Sequence, residues 1–287
     1  MPDQGYVRGP LVASGSTLSL AAYDHDGGGF TYPPSRIVRL DDRTFREEGR
    51  TDLKAEILSI ADGDGARWVV TRNPKPPNGL PDAFLKRIGA DGAVVSKLLP
   101  PGSDPVGNVA VGAGAVWIPV RDGVLRYDAL TSQFVSKTAL APADTRAVAA
   151  VVGSVFVTDG NELRSLEGDR APTGGSREYI GLVGTGNTLW ALTRAAAGST
   201  GAVVQIVSGQ VVDLPTRFVP SSLASLDGRL WVEGSVDGSP AVVLVDGTAV
   251  RATVVLDGGR DASFAWVSDD TVLAVSNGTL VRIDVKK

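Results

Sequence analysis

The sequence predicts an all-β protein: a seven-bladed β-propeller of four-stranded antiparallel blades, one domain over residues 1–287, with the N-terminal strand closing the last blade. Three observations predict it. Short apolar runs bounded by turn residues recur along the whole chain, and helical i, i+3, i+4 spacing is scarce. A second-strand motif returns at a spacing of roughly 40 residues, the period of propeller blades. Glycine (35 residues) and proline (17) fall between the apolar runs, where a chain of many short strands needs turns.

Each repeat begins with a short apolar strand, as in Glu56–Ile60, Asn108–Gly112, Ala147–Val151, Tyr179–Val183, Ser222–Leu226 and Ser263–Val267. A tight turn then leads into the second strand, which carries a large side chain two or three positions on: Trp68, Trp117, Phe156, Trp190, Trp231 or Leu273. The first repeat has Ser19 there. Such side chains fill the wedge between neighbouring sheets, so the tryptophans are expected to be core pins rather than ligand-stacking surfaces. Third strands follow at Arg36–Leu40, Phe84–Ile88, Val124–Tyr127, Leu163–Leu166, Val203–Val207, Val242–Val245 and Leu280–Asp284. Turns such as Gly89–Gly92 and Asp128–Thr131 lead to fourth strands at Val94–Leu98 and Phe134–Thr138. The last repeat supplies three strands, and Gly5–Leu11 is expected to pair with it as its outer strand, removing two open edges.

Bulk composition narrows the function. A net charge of −4 without a basic run disfavours non-specific nucleic-acid binding. No apolar stretch approaches the ~18 residues of a membrane span. Met1–Pro10 has neither the basic nor the apolar region of a signal peptide. The absence of cysteine excludes disulfides, thiolate metal sites and cysteine nucleophiles. Arginine outnumbers lysine, and Ala, Val, Gly and Asp are abundant, a usage that points to a GC-rich genome.

At Ala115–Ile118 followed by Val124–Tyr127, and at Thr279–Ile283, the chain resembles propellers of the YVTN and virginiamycin B lyase-like kind. These also carry a Gly-x-x-Trp second strand and an x-x-Arg-Ile or x-x-Arg-Tyr third strand. The resemblance covers nearly the whole chain and implies a seven-bladed fold. The lyases use a histidine on a loop entering an inner strand, with a carboxylate and magnesium. The one histidine here, His25, lies between the second and third strands of the first repeat, so that chemistry does not carry over.

Few residues offer chemistry of their own. Asp24, His25 and Asp26 are metal-ligand types, but adjacent residues of an extended loop cannot all face one ion, and a solvated turn is the plainer reading. Asp62–Gly65 has calcium-loop residue types without the ligand series, so it reads as a tight hairpin. Asn277–Thr279 fits a glycosylation sequon. No metal, cofactor or catalytic residue is assigned.

An arginine enters successive inner strands at Arg146, Arg177, Arg217 and Arg260. The last three lie 13 or 14 residues before Trp190, Trp231 and Leu273, so they are expected at one mouth of the central channel. There they could bind a carboxylate or phosphate bidentately. The alternative is pairing with Asp144, Glu178 and Asp261. Long second-to-third connections (Tyr23–Ser35, Arg72–Ala83, Arg194–Gly201, Gly234–Pro240) share that face and bring Phe30 and Tyr32 to it.

The first functional reading is a ligand- or protein-binding module, a sensor or scaffold of an exported or membrane-tethered bacterial protein. Its working face is the long-loop face, and its partner a protein or an anionic small molecule or glycan. The alternative is a propeller enzyme (lyase, isomerase or hydrolase) acting on such a molecule.

Overall fold

The structure, a computed structural model, describes residues 7–14, 17–22, 35–41, 44, 46–73, 82–144, 146–151, 153–159, 161–166, 178–185, 187–194, 201–206, 208–226, 229–256, 262–268, 271–276 and 279–284. The chain forms two compact units, Met1–Pro105 with Asp261–Lys287, and Val106–Arg260.

The first unit opens with two antiparallel meanders. One contains β1 (Val7–Ser14), β2 (Thr17–Ala22), β3 (Arg36–Asp41) and β4 (Glu47–Asp52); the next contains β5 (Glu56–Gly63), β6 (Ala66–Arg72), β7 (Ala83–Ile88) and β8 (Val94–Leu98). The second unit has four sheets. Its first is β9 (Ala110–Gly112), β10 (Ala115–Val120), β11 (Gly123–Asp128) and β12 (Gln133–Ala139). A three-stranded sheet follows: β13 (Val148–Val151), β14 (Ser154–Asp159) and β15 (Glu162–Ser165). Then come β16 (Glu178–Thr185), β17 (Thr188–Arg194), β18 (Ala202–Gln205) and β19 (Val211–Asp213). The last is β20 (Phe218–Leu226), β21 (Arg229–Val236), β22 (Ser239–Asp246) and β23 (Ala249–Val255). The chain returns to the first unit with β24 (Ala262–Ser268), β25 (Thr271–Ser276) and β26 (Thr279–Asp284).

Three expectations are corrected. The N-terminal strand does not complete the last sheet: β1 pairs with β2, from Ser14 opposite Thr17 to Val7 opposite Ala22, as the innermost strand of the first sheet. Nor is the chain a ring of seven four-stranded blades, because five sheets have four strands among the described residues and two have three. The connection Gly234–Pro240 is not a long loop. Strands β21 and β22 run on to Val236 opposite Ser239, and Asp237-Gly238 turns the chain in two residues with φ of +50° and +82°.

Two other hairpins use the same left-handed pair, Asp64-Gly65 (φ +50°, +68°) and Ala113-Gly114 (φ +52°, +70°). Both central residues at positive φ make the two-residue turn whose twist suits antiparallel strands. The acidic stretch Asp62–Gly65 is therefore a hairpin, and Asp62 holds Arg67 at 2.8 Å.

The wedges between consecutive sheets hold the core. Trp117 packs on Val155 and Val157 of the next sheet, and Trp190 on Leu230 and Val232. Phe156 lies against the cluster containing Leu189 and Ala191. These three large residues thus share a core with the β-branched or aliphatic second strand of the next sheet, which accounts for apolar runs without strict alternation. The indole N–H of Trp68 donates to the Gly63 carbonyl (3.2 Å) and that of Trp117 to Gly112 (3.0 Å), tying the ring to its own hairpin.

The third-strand arginine has a physical reason as well. Arg87 is opposite Trp68 and Arg126 opposite Trp117 in the ladder, with guanidinium carbons 5.9 and 5.6 Å from the rings, within cation–π range. One further repeat is a leucine that ends each fourth strand. The N–H groups of Leu53, Leu99, Leu140, Leu214 and Leu256 bond to the carbonyls of Ser35, Ala83, Asp122, Gly201 and Pro240 at the start of the third strand. Four of these leucines are buried, so these connectors leave their sheets from a fixed point.

Candidate ligand-binding face

Two of the arginines singled out in the sequence, Arg146 and Arg217, lie on the connectors that follow Leu140 and Leu214. Of the predicted residues, Arg177, Arg260, Phe30 and Tyr32 lie outside the described residues, as do Asp24, His25 and Asp26. Arg146 and Arg217 are described, and they differ.

Arg146 immediately precedes β13 with its side chain buried. Its Nη1 donates to the Thr158 carbonyl at 2.8 Å, and its Nη2 to the carbonyls of Ala141 and Arg121. Asp159, also buried, accepts from Nη1 at 3.4 Å and holds Arg164 at 3.0 Å through its other oxygen. A guanidinium committed to three carbonyls and a carboxylate positions the connector and is not available to a ligand. The sequence expected Arg146 to face a ligand; in the structure its guanidinium faces acceptors of the protein itself. The expected acid, Asp144, pairs with Arg121 instead. A cation among carbonyl oxygens is stable only when so fully bonded, and here the geometry meets most of that demand.

Arg217 sits the opposite way. Its side chain is 73% exposed, and its ion pair with Asp237, at 3.3 Å, joins two solvated groups. Its backbone has φ +68°, in a turn where the N–H of Phe218 bonds to the Pro215 carbonyl at 3.1 Å. That is the position where such a turn favours glycine. An arginine there costs about 1 kcal/mol or more of backbone strain.

Sequence reading missed a second set of arginines. Arg72, Arg121 and Arg194 each follow the core tryptophan of their strand by four residues, at the end of β6, just past β10 and at the end of β17. Arg72 is paired with Glu56 at 3.0 Å, and Arg194 is opposite Glu178 in the ladder as Arg72 is opposite Glu56. The spacing from tryptophan was the available signal. Within the second unit, Arg194 and Arg217 both lie at the strand ends from which connectors emerge, and both are exposed.

Exposed ion pairs of this kind contribute about 0–1 kcal/mol each, so their carboxylates compete weakly with an incoming anion. The described titration shifts belong to turns rather than to a reactive centre. A hydrogen bond from Lys137 holds the Asp122 carboxyl below its ordinary range, and the N–H of Thr131 does the same for Asp128. Burial lowers the Lys86 ammonium, which donates to the Leu53 carbonyl at 2.8 Å and ties two sheets together. Among the described residues no group of three His, Cys, Asp or Glu side chains could hold a metal ion.

No family model matches the chain, and no curated protein matches it. Solved structures do. KlHsv2 with loop 6CD replaced by a Gly-Ser linker aligns over 96% of this chain and 90% of its own, at 9% identity and a TM-score of 0.65. Kuenenia stuttgartiensis hydrazine synthase aligns over 98% and 97%, at 12% identity and 0.62. Kluyveromyces lactis Hsv2 aligns over 95% and 90%, at 9% identity and 0.61. At such identity the likeness bears on fold alone. With the repeated meanders and wedge cores, it makes this chain an all-β protein of the β-propeller class.

Proposed function

We propose that this chain is a binding module, a sensor or scaffold unit, whose contact surface is the face where second strands end and connectors emerge. Its ligand is anionic: a carboxylate- or phosphate-bearing small molecule, an acidic glycan or an acidic protein segment. One observation carries the reading. Arg217 is kept on a left-handed backbone that glycine would occupy more cheaply, and its guanidinium is displayed to solvent. Positive φ also occurs at the turn residues Lys54, Asp64, Ala113, Ser132 and Asp237; among the described residues of this kind Arg217 is the one that displays a guanidinium to solvent. Arg194 adds a second exposed cation at the same strand ends, and Arg177 and Arg260 are proposed, from their sequence positions alone, to serve the same ligand. The Trp-Ile and Arg-Tyr strand motifs support a place near the YVTN and virginiamycin B lyase-like propellers. The arginine-rich, lysine-poor composition accords with a GC-rich genome, and the setting we propose is a bacterial, extracytoplasmic module.

The test is a thermal-shift screen of sulfate, phosphate, citrate and acidic sugars against the wild type, Arg217→Gly and Arg194→Ala. The wild-type midpoint rises with at least one anion class, and the effect fades with added salt. Arg217→Gly is more stable without ligand by about 1 kcal/mol, because its backbone strain is gone, yet responds less to the anion. Identical responses from all three proteins end the proposal.

A further inference from the structure

The fourth strand β8, in the first unit, carries a second interaction surface that is independent of the arginines above. Outermost strands are open to pairing with other chains, and sheets protect them with charges, proline, β-bulges or shortness. β4 carries Glu47, Glu48, Arg50 and Asp52, and its pairing slips beside Leu40. The pairing of β12 slips beside Tyr127 and that of β23 beside Val245, while β19 has only three residues. Among the described fourth strands β8 is the exception. Its register runs without a shift from Phe84 opposite Leu98 to Ile88 opposite Val94. Its one charged residue, Lys97, is half-buried, whereas Val94, Val95 and Leu98 are 40%, 59% and 50% exposed.

Hydrogen bonds at its two ends give the direction of the main-chain groups of β8. The N–H of Gly89 bonds to the Ala93 carbonyl and the N–H of Leu99 to the Ala83 carbonyl, both at 2.9 Å. Alternation between these ends turns the N–H and C=O groups of Val95 and Lys97 toward β7. Those of Val94, Ser96 and Leu98 turn outward. The side chains of these three residues also share one face of the sheet, because they alternate with Val95 and Lys97. The outward set is therefore symmetric about Ser96, with an apolar side chain two residues to either side of a small hydroxyl.

We infer that β8 pairs antiparallel with β8 of a second copy of this chain, about a two-fold axis at Ser96. Ser96 then lies opposite Ser96, and Val94 opposite Leu98 of the second copy, each pair exchanging both of its main-chain bonds. The exposed apolar residues of that face thus meet apolar partners across the strands. On the other face Lys97 meets Val95, so no like charges stand directly opposite. Sliding the pairing by two residues sets Leu98 opposite Gly92, or Val94 opposite Pro100, which has no N–H, so the symmetric register is the favoured one. The contact uses the same edge on both chains, and association stops at two copies.

The test is sedimentation of the full chain from about 10 μM to about 1 mM, a range in which a small interface is populated. The mass rises with concentration from that of one chain toward two. Ser96→Pro, which removes an outward N–H and spares the β7 ladder, stays at the mass of one chain. Leu98→Lys does the same with the wild-type thermal midpoint, and it decides the matter should the proline lower that midpoint. Register is read by disulfide trapping, for which the cysteine-free chain is a clean background. Val95 and Lys97 of the two copies form the close pair, about 4.5 Å apart at Cα. Mixed Val95→Cys and Lys97→Cys chains therefore cross-link at least about tenfold faster than either variant alone. The proposal is overturned if the wild type keeps the mass of one chain throughout or grows past two. It is also overturned if Leu98→Lys associates as the wild type does, or if either cysteine variant cross-links as fast alone as in the mixture.

Discussion

Two kinds of residue bear most of the local argument, the wedge aromatics and the turn aspartates. Trp117 and Trp190 fill space between sheets, so Trp117→Ala and Trp190→Ala each lose about 3–5 kcal/mol in urea unfolding through cavity formation. Trp117→Phe keeps most of the packing but loses the bond to the Gly112 carbonyl and weakens the cation–π contact with Arg126, a smaller loss of about 1–2 kcal/mol. Asp128 accepts the N–H groups of Leu130 (2.9 Å) and Thr131 (2.8 Å) at the turn into β12. These bonds hold its carboxyl below the ordinary range, so its stabilising effect is complete above the unfolded value of about 3.9. That effect is lost as pH falls through the lower folded value. Asp128→Asn should therefore be less stable than wild type at neutral pH, and the gap should close on acidification below about pH 4. A constant gap across that range would detach the turn from the carboxylate's charge.

At the scale of elements, the connectors show how similar sequence positions acquire different roles. Arg146 and Arg217 both stand at the entry to an inner strand, 10 residues before Phe156 and 14 before Trp231, and neither spacing says which guanidinium is buried. The connector leading to Arg146 runs from Leu140 over Asp144, and three carbonyls converge where its guanidinium lies. The connector to Arg217 is a tight turn from Leu214 that leaves the side chain in solvent. Arg146→Ala strands buried acceptors and Asp159, and it should cost about 3–5 kcal/mol. Arg217→Ala should change the midpoint little. Chemical unfolding of the pair separates the two roles without any ligand.

At the scale of the whole molecule, the first unit draws on both ends of the sequence, since β1 packs beside β24 as well as β5. Deleting residues 1–11 removes most of an innermost strand rather than an outer one. The deletion should lower the thermal midpoint by several degrees and expose β2, β5 and β24 amides to hydrogen exchange. Faster exchange confined to β26 would instead return the N-terminal strand to an outer position.

The sequence by itself determined the strand period, the turns and the core aromatics. Each is a local matter: Asp64-Gly65 or Asp237-Gly238 turns the chain wherever it stands, and a tryptophan two or three residues on is too large for any place but a wedge. Only the tertiary structure decided which sheet β1 joins, where strands β21 and β22 stop, and which arginine is buried. Ser14 and Thr17 flank a two-residue hairpin, so β1 closes a short loop onto β2, whereas closing the last sheet would join residues at opposite ends of the chain. An apolar strand bears the same pattern in either place, and an arginine reads the same in sequence whether carbonyls or water surround it. Partner choice among distant segments is settled by loop entropy and by which buried acceptors remain to be filled, and neither is written in a single strand.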